Sequence, residues 1–234
     1  MNRASFLAVA TAAVLTSGCS DDGANCRWEN IPEPSAVEGE KQPVEIQPSQ
    51  TLPGLTKAEL DAVVPVPDGF PPINEQVLVG LRRDTLEMAG AVGEVGAGRC
   101  DGDVAGSVGS TTRCTVTYEG VEVRWLVEIT GIGTPIGKGY EYSVRPLSSV
   151  HTAQDVYDSF AWETGKDGQQ SGPQPTRAPR CERLPDVFAA EPGQDTGYSC
   201  QDIKWFCENG DHDFRWSDRP IEINDDGNVT FGPL

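Results

Sequence analysis

From Cys114 onward the apolar residues fall on every second position: Cys114, Val116 and Tyr118, then, after Glu119-Gly120, Val121, Val123, Trp125, Val127 and Ile129. A period of two is that of a half-buried strand, so two strands sharing one apolar face are predicted. A two-residue Glu-Gly turn sets Tyr118 opposite Val121, Val116 opposite Val123 and Cys114 opposite Trp125. Thr115, Thr117, Glu122, Arg124 and Glu128 take the other face. Ahead of the hairpin, the stretch from Cys100 to Cys114 reads as a disulfide loop.

A lone hairpin is marginal in water, so its apolar face needs a cover. Ile73, Val77, Leu78, Leu81, Met88, Ala89 and Val92 recur at helical spacing. Asn74, after Pro71-Pro72, is the expected N-cap, and Gly90 or Gly93 the end. Tyr140, Tyr142 and Val144 predict a third strand that Pro146 closes. The expected fold class is therefore α+β, a helix packed on a small antiparallel meander with a disulfide loop, over residues 73–148.

Residues 149–234 can be read as the same order in degenerate form. Thr152-Ala153-Gln154-Asp155 resembles a helix start, and Val156 and Phe160 lie one turn apart. A Gly/Pro/Gln stretch then leads to Cys181, followed by Cys200, Ile203, Trp205 and Cys207, and by Phe214 and Trp216. Ile221-Glu222-Ile223 and Val229-Thr230-Phe231, joined through Asp226-Gly227, predict a closing hairpin. A second copy of the first unit and an unrelated disulfide-bonded, β-rich tail are both open readings.

Arg3 followed by the apolar run Phe6–Leu15 reads as the core of an export signal, too short to span a bilayer. It ends in Leu15-Thr16-Ser17-Gly18-Cys19, which resembles the lipobox of bacterial lipoproteins, with Thr16 where leucine is usual. On this reading residues 1–18 are a signal peptide and Cys19 is lipidated, its acyl chains anchoring the chain to the outer face of the cell membrane. Six cysteines then remain of seven, an even number suited to an oxidising compartment. Residues 19–72 are acidic and proline-rich, the composition of an extended tether, with Thr56 and Glu59 spaced as a capping box. The formal charge of −18 argues against nucleic acid as a partner.

The order of helix, cysteine, small glycine-containing loop, Thr-Arg-Cys-Thr-Val-Thr-Tyr and glycine turn is similar to a domain family of unknown function found in lipoproteins of Gram-positive bacteria. Cys100, Gly109, Cys114, Thr115, Val116, Thr117 and Gly120 carry the resemblance, over about residues 73–146. It implies a small extracytoplasmic module with a cysteine pair and no catalytic residues. If the second half is a copy, Cys100 pairs with Cys114 and Cys181 with Cys200, leaving Cys26 for Cys207.

No redox C-x-x-C, phosphate loop, dinucleotide fingerprint or nucleophile elbow is present, so no cofactor or metal is expected. His151 and His212 read as surface residues. Glu208, Asp211 and Asp213, and separately Asp225 and Asp226, are acidic turns without the order of a calcium loop. Trp28, Trp125, Trp162, Trp205 and Trp216 are expected to pack on the disulfides, or in part to form an aromatic patch for a peptide, a glycan or a partner protein. The function expected is thus a non-catalytic binding or interaction module on the membrane, with an envelope protein or cell-wall glycan as partner. An envelope hydrolase or transferase using Glu122, Glu128 or Asp103, and a structural envelope protein, are the alternatives.

Overall fold

The hairpin forms in the expected register. β3 (Thr111–Tyr118) and β4 (Val121–Ile132) pair antiparallel with Cys114 opposite Trp125, Val116 opposite Val123 and Tyr118 opposite Val121. At the turn Glu119 and Gly120 take φ of 46° and 80°, the left-handed pair that a two-residue connection between twisted strands requires. The Glu119 carboxylate accepts a hydrogen bond from the Glu94 amide at 2.6 Å, which offsets the strain of a non-glycine residue in that region. β2 (Arg99–Cys100) and β5 (Tyr140–Pro146) complete the sheet in the order β2-β3-β4-β5.

This computed structural model describes residues 37, 39–69, 71–132, 140–170, 177–208 and 211–232. Helix α2 (Ile73–Ala89) buries Val77, Leu81 and Ala89 of the stripe read from the sequence, and Leu86 outside it, in one core with Cys114, Val116, Val123 and Val127, while Val92 lies past the helix and is exposed. It begins after Pro72, not at Asn74. The Asn74 side chain instead accepts from the Val104 amide at 2.8 Å and ties the disulfide loop to the helix. Gly90, at φ 67°, caps the other end.

A second sheet has the order β1-β7-β9-β10-β11, built from β1 (Val44–Glu45), β7 (Arg177–Cys181), β9 (Asp195–Glu208), β10 (Asp211–Ile223) and β11 (Val229–Phe231). Helix α3 (Ala153–Gln170) lies over it, sending Val156 and Phe160 into a core with Cys181, Cys200, Ile221 and Phe231. β6 (Ser149–Thr152) and β8 (Val187–Ala190) pair as a ribbon between the two sheets. The order of helix, short cysteine strand, longer cysteine strand and hairpin occurs in both halves. In each, the disulfide joins directly opposed residues of the first two strands: Cys100 with Cys114, and Cys181 with Cys200, Cα atoms 3.9 Å apart.

The fold class expected from the sequence is corrected. Strand outweighs helix among the described residues, 41% against 22%, in several antiparallel sheets that include a half-barrel, so the protein is mostly β and not a helix-packed α+β meander. The excess of strand comes from three places that side-chain period does not mark. β9 and β10 are far longer than their alternating cores, β6 and β8 form a ribbon of their own, and β1 lies inside the acidic, proline-rich stretch.

That stretch is folded in part. Ile46 is buried in the second core and its amide donates to the Pro179 carbonyl at 2.9 Å, while the Ser49 amide donates to Ala161 at 2.7 Å. Helix α1 (Lys57–Val63) carries the capping box, Thr56 with Glu59, and buries Leu60 in the first core alongside Val64. Among the described residues no helix is long and apolar enough to cross a membrane.

Candidate functional site

β9 and β10 carry an open cleft of about 1180 Å³. Tyr198, Phe214 and Trp216 line it together with Arg183, Gln201, Asp218 and the backbone of residues 39–43. The cleft therefore combines aromatic surface with planar amide, carboxylate and guanidinium groups.

One wall is held by a buried amide. Gln201, 2% exposed, accepts from the Gln42 amide at 2.7 Å and donates to the Glu40 carbonyl at 3.2 Å and to Asp218 at 3.3 Å. Gln42 donates in turn to the Ser199 hydroxyl at 3.1 Å, and Arg180 donates to the Gln42 carbonyl at 3.1 Å and to Glu45 at 3.0 Å. These bonds satisfy backbone that a two-residue strand leaves unpaired, which is how so short an element as β1 stays on the sheet edge. Gly39, at φ 112°, lies against the indole edge of Trp216: a methyl group there would sit 3.2 Å from Cδ1. The Trp216 Nε1 is buried beneath without a hydrogen-bond partner among the described residues.

A smaller hollow, about 330 Å³, opens between α2, the end of β5 and the β10–β11 turn. Asp84 and Glu87, one helical turn apart on α2, line it with Trp125, Arg145 and Asn228. Burial pushes the Asp84 carboxyl up to about 6; the Glu87 charge adds to the rise and Arg83 opposes it. Tyr142 is also raised, first by burial and then by the Asp84 charge. Trp125 Nε1 is another buried indole N–H without a hydrogen-bond partner among the described residues.

The carboxylates singled out in the sequence do not converge. Glu122 and Glu128 are exposed on the outer face of β4, six residues and so roughly 20 Å apart. Glu122 pairs loosely with Arg99 at 3.8 Å, and Asp103 closes its own turn by accepting from the Ala105 amide at 3.0 Å. Asp225 and Asp226 are exposed in a turn that the Asn224 side chain organises, accepting from the amides of Asp226 and Asn228. Asp213 pairs with Arg215. Among the described residues no group of three His, Cys, Asp or Glu side chains could hold a metal ion.

His151, expected at the surface, is instead 1% exposed. The strand β6 that carries it was not legible, because Ser149–Thr152 is buried on both sides and shows no alternation. Of the tryptophans, Trp125 is core, while Trp162 and Trp216 line cavities. Cys19, Cys26 and Trp28 lie outside the described residues, as do the side chains of Trp205, Cys207, Glu208, Asp211 and His212. The sequence reading missed Asp84 and Glu87. Their signal was the i, i+3 spacing on the polar side of an amphipathic helix, which solvated helix faces share. No protein-family model, curated protein or solved structure matches this chain.

Proposed function

We propose that the protein is a lipid-anchored, extracytoplasmic binding module, and that the β9–β10 cleft takes a glycan of the cell envelope. The observation that carries this reading is the lining of the cleft by Tyr198, Phe214 and Trp216 beside the exposed Asp218 and Arg183. Sugar rings offer apolar faces that stack on aromatic side chains and hydroxyls that planar polar groups bind in pairs. An open cleft of this size admits a chain passing through and not only a small enclosed ligand. The anchor rests on Leu15-Thr16-Ser17-Gly18-Cys19, and the oxidising side of the membrane on the two disulfides.

Retention of the full chain on purified cell-wall glycan tests the cleft. Trp216→Ala should lower affinity by about ten-fold, the order of one lost aromatic stack with its buried area. Retention unchanged by that substitution overturns the site. Cys19→Ala should move the protein from the membrane to the soluble fraction, and continued membrane association would remove the anchor.

A second reading, an envelope hydrolase, is favoured by one feature: a half-buried carboxyl near pH 6 beside a second carboxylate in a hollow suits proton transfer. Glycan turnover lost in Asp84→Asn while retention persists would establish it, and undiminished turnover in that variant would dismiss it.

A further inference from the structure

His151 closes a separate cavity of about 260 Å³ between α2, α3 and β11. Its ring is 1% exposed, yet neither nitrogen has a hydrogen-bond partner among the described residues. Buried imidazoles rarely go unpaired, because the lost hydration is not returned. Asp155 Oδ2 lies 3.8 Å from Nδ1 of the ring, beyond hydrogen-bond range. Phe188 packs at 5.8 Å between ring centroids and restricts its rotation.

The rest of the lining has one sign. Asp155, Glu87 and Glu163 face the cavity, and of these Glu163 is matched by an ion pair with Arg219. Asp155 is fixed in place: it packs so closely on Gly90 that a methyl group there would overlap the carboxylate. Gly90 is also the C-cap of α2 and Asp155 lies in the first turn of α3, so the carboxylate stands between the partially negative end of one helix and the partially positive start of the other. Met88, Val229 and Phe231 supply an apolar floor.

We infer that this cavity is a binding site for a small primary ammonium group on a short apolar stem, distinct from the glycan cleft and independent of it. On this assignment Nδ1 of His151 faces Asp155 and its Nε2 lone pair accepts from the ammonium. Asp155 and Glu87 supply the opposing charge, and the floor takes the stem. An anion would meet two carboxylates that no ion pair matches among the described residues, and a neutral alcohol would leave them without a counter-charge.

The test is titration of the full chain in detergent micelles with n-butylamine, followed by the imidazole nitrogen resonances. At about pH 8 the amine is protonated, and only His151 and His212 contribute signals. The expected result is a saturable shift confined to His151, with 1-butanol giving none. Glu87→Gln, a change at an exposed side chain, should weaken the amine by about three-fold, and His151→Gln by about ten-fold. The wild-type titration and Glu87→Gln decide the matter even where His151→Gln does not fold. The inference is overturned if butanol and butylamine shift the resonance alike, if neither does, if Glu87→Gln leaves the affinity unchanged, or if zinc ion saturates the imidazole at lower concentration than the amine.

Discussion

A carboxyl held at about 6 resists ionisation in the folded state, and Asp84 therefore works against stability at neutral pH. The unfolded chain gives up this proton near pH 4, whereas the folded chain keeps it until about 6. Between those values the folded form binds more protons, so the contribution falls as pH rises. Asp84→Asn should then raise stability at pH 7.5 by about 1 kcal/mol, after discounting for the partial exposure of the group, and the gain should vanish below about pH 4. Urea denaturation at the two pH values checks it, and equal gains at both would refute the assignment. Asp84 has nothing in its sequence neighbourhood to set it apart from Asp61 on α1. Asp61 is held low by Lys57 and Arg83. What separates the two is which surface covers them, and that is fixed by β5, more than fifty residues downstream.

Helix α3 shows how an element can be stabilised by a poor helix former. Gly165 lies within it, where alanine would ordinarily gain about 1 kcal/mol. The Ser49 backbone crosses so close that a methyl group would overlap its carbonyl oxygen. Gly165→Ala should therefore cost about 1 kcal/mol net or more, the overlap exceeding the propensity gain. Gly80 in α2 is the contrast. Its nearest neighbour is the Tyr142 hydroxyl at 3.2 Å from an added methyl, a side chain able to shift, so Gly80→Ala should be neutral or stabilising by up to about 1 kcal/mol. Paired denaturation curves for the two variants decide between local propensity and tertiary contact. Legibility follows the same division. The β3–β4 register, the α2 stripe, the Thr56 capping box and the final hairpin were readable because each is set by neighbours in sequence. β1, β6 and β8 were not, since their pairing depends on partners far along the chain and they lack alternation. The aromatic residue Trp216 was readable as a candidate contact, but not the Gln201 network that builds a wall beside it. His151 was misplaced for the same reason as β6.

Across the whole molecule the two halves are joined through both buried and exposed contacts. The Thr152 hydroxyl caps α3 by accepting from the Asp155 amide and donates to the Ala89 carbonyl at 2.9 Å, so the start of one helix is bonded to the end of the other. The Val150 amide donates to the Met88 sulfur at 3.4 Å, and Arg124 meets Glu191 across the ribbon. With the first core reaching Val150 and Val187, and the second reaching Phe188, the β6–β8 ribbon belongs to both. A single cooperative unfolding transition is expected, with calorimetric and van't Hoff enthalpies equal; two resolved transitions would show the halves to be independent. The directly opposed cysteine pairs matter in another way for a chain that is pulled. Tension applied at the two ends cannot lengthen what lies inside a covalent loop, and the loops here span sequence separations of 14 and 19. Full extension in a force trap should accordingly fall short of that of the reduced protein by about 110 Å. Load arriving from the N-terminal side meets β1 first, then β7, and β7 is riveted to β9 by Cys181 and Cys200. Peeling at that edge strips the wall of residues 39–43 but ends at a covalent stop, and the aromatic side chains on β9 and β10 behind it stay on paired strands.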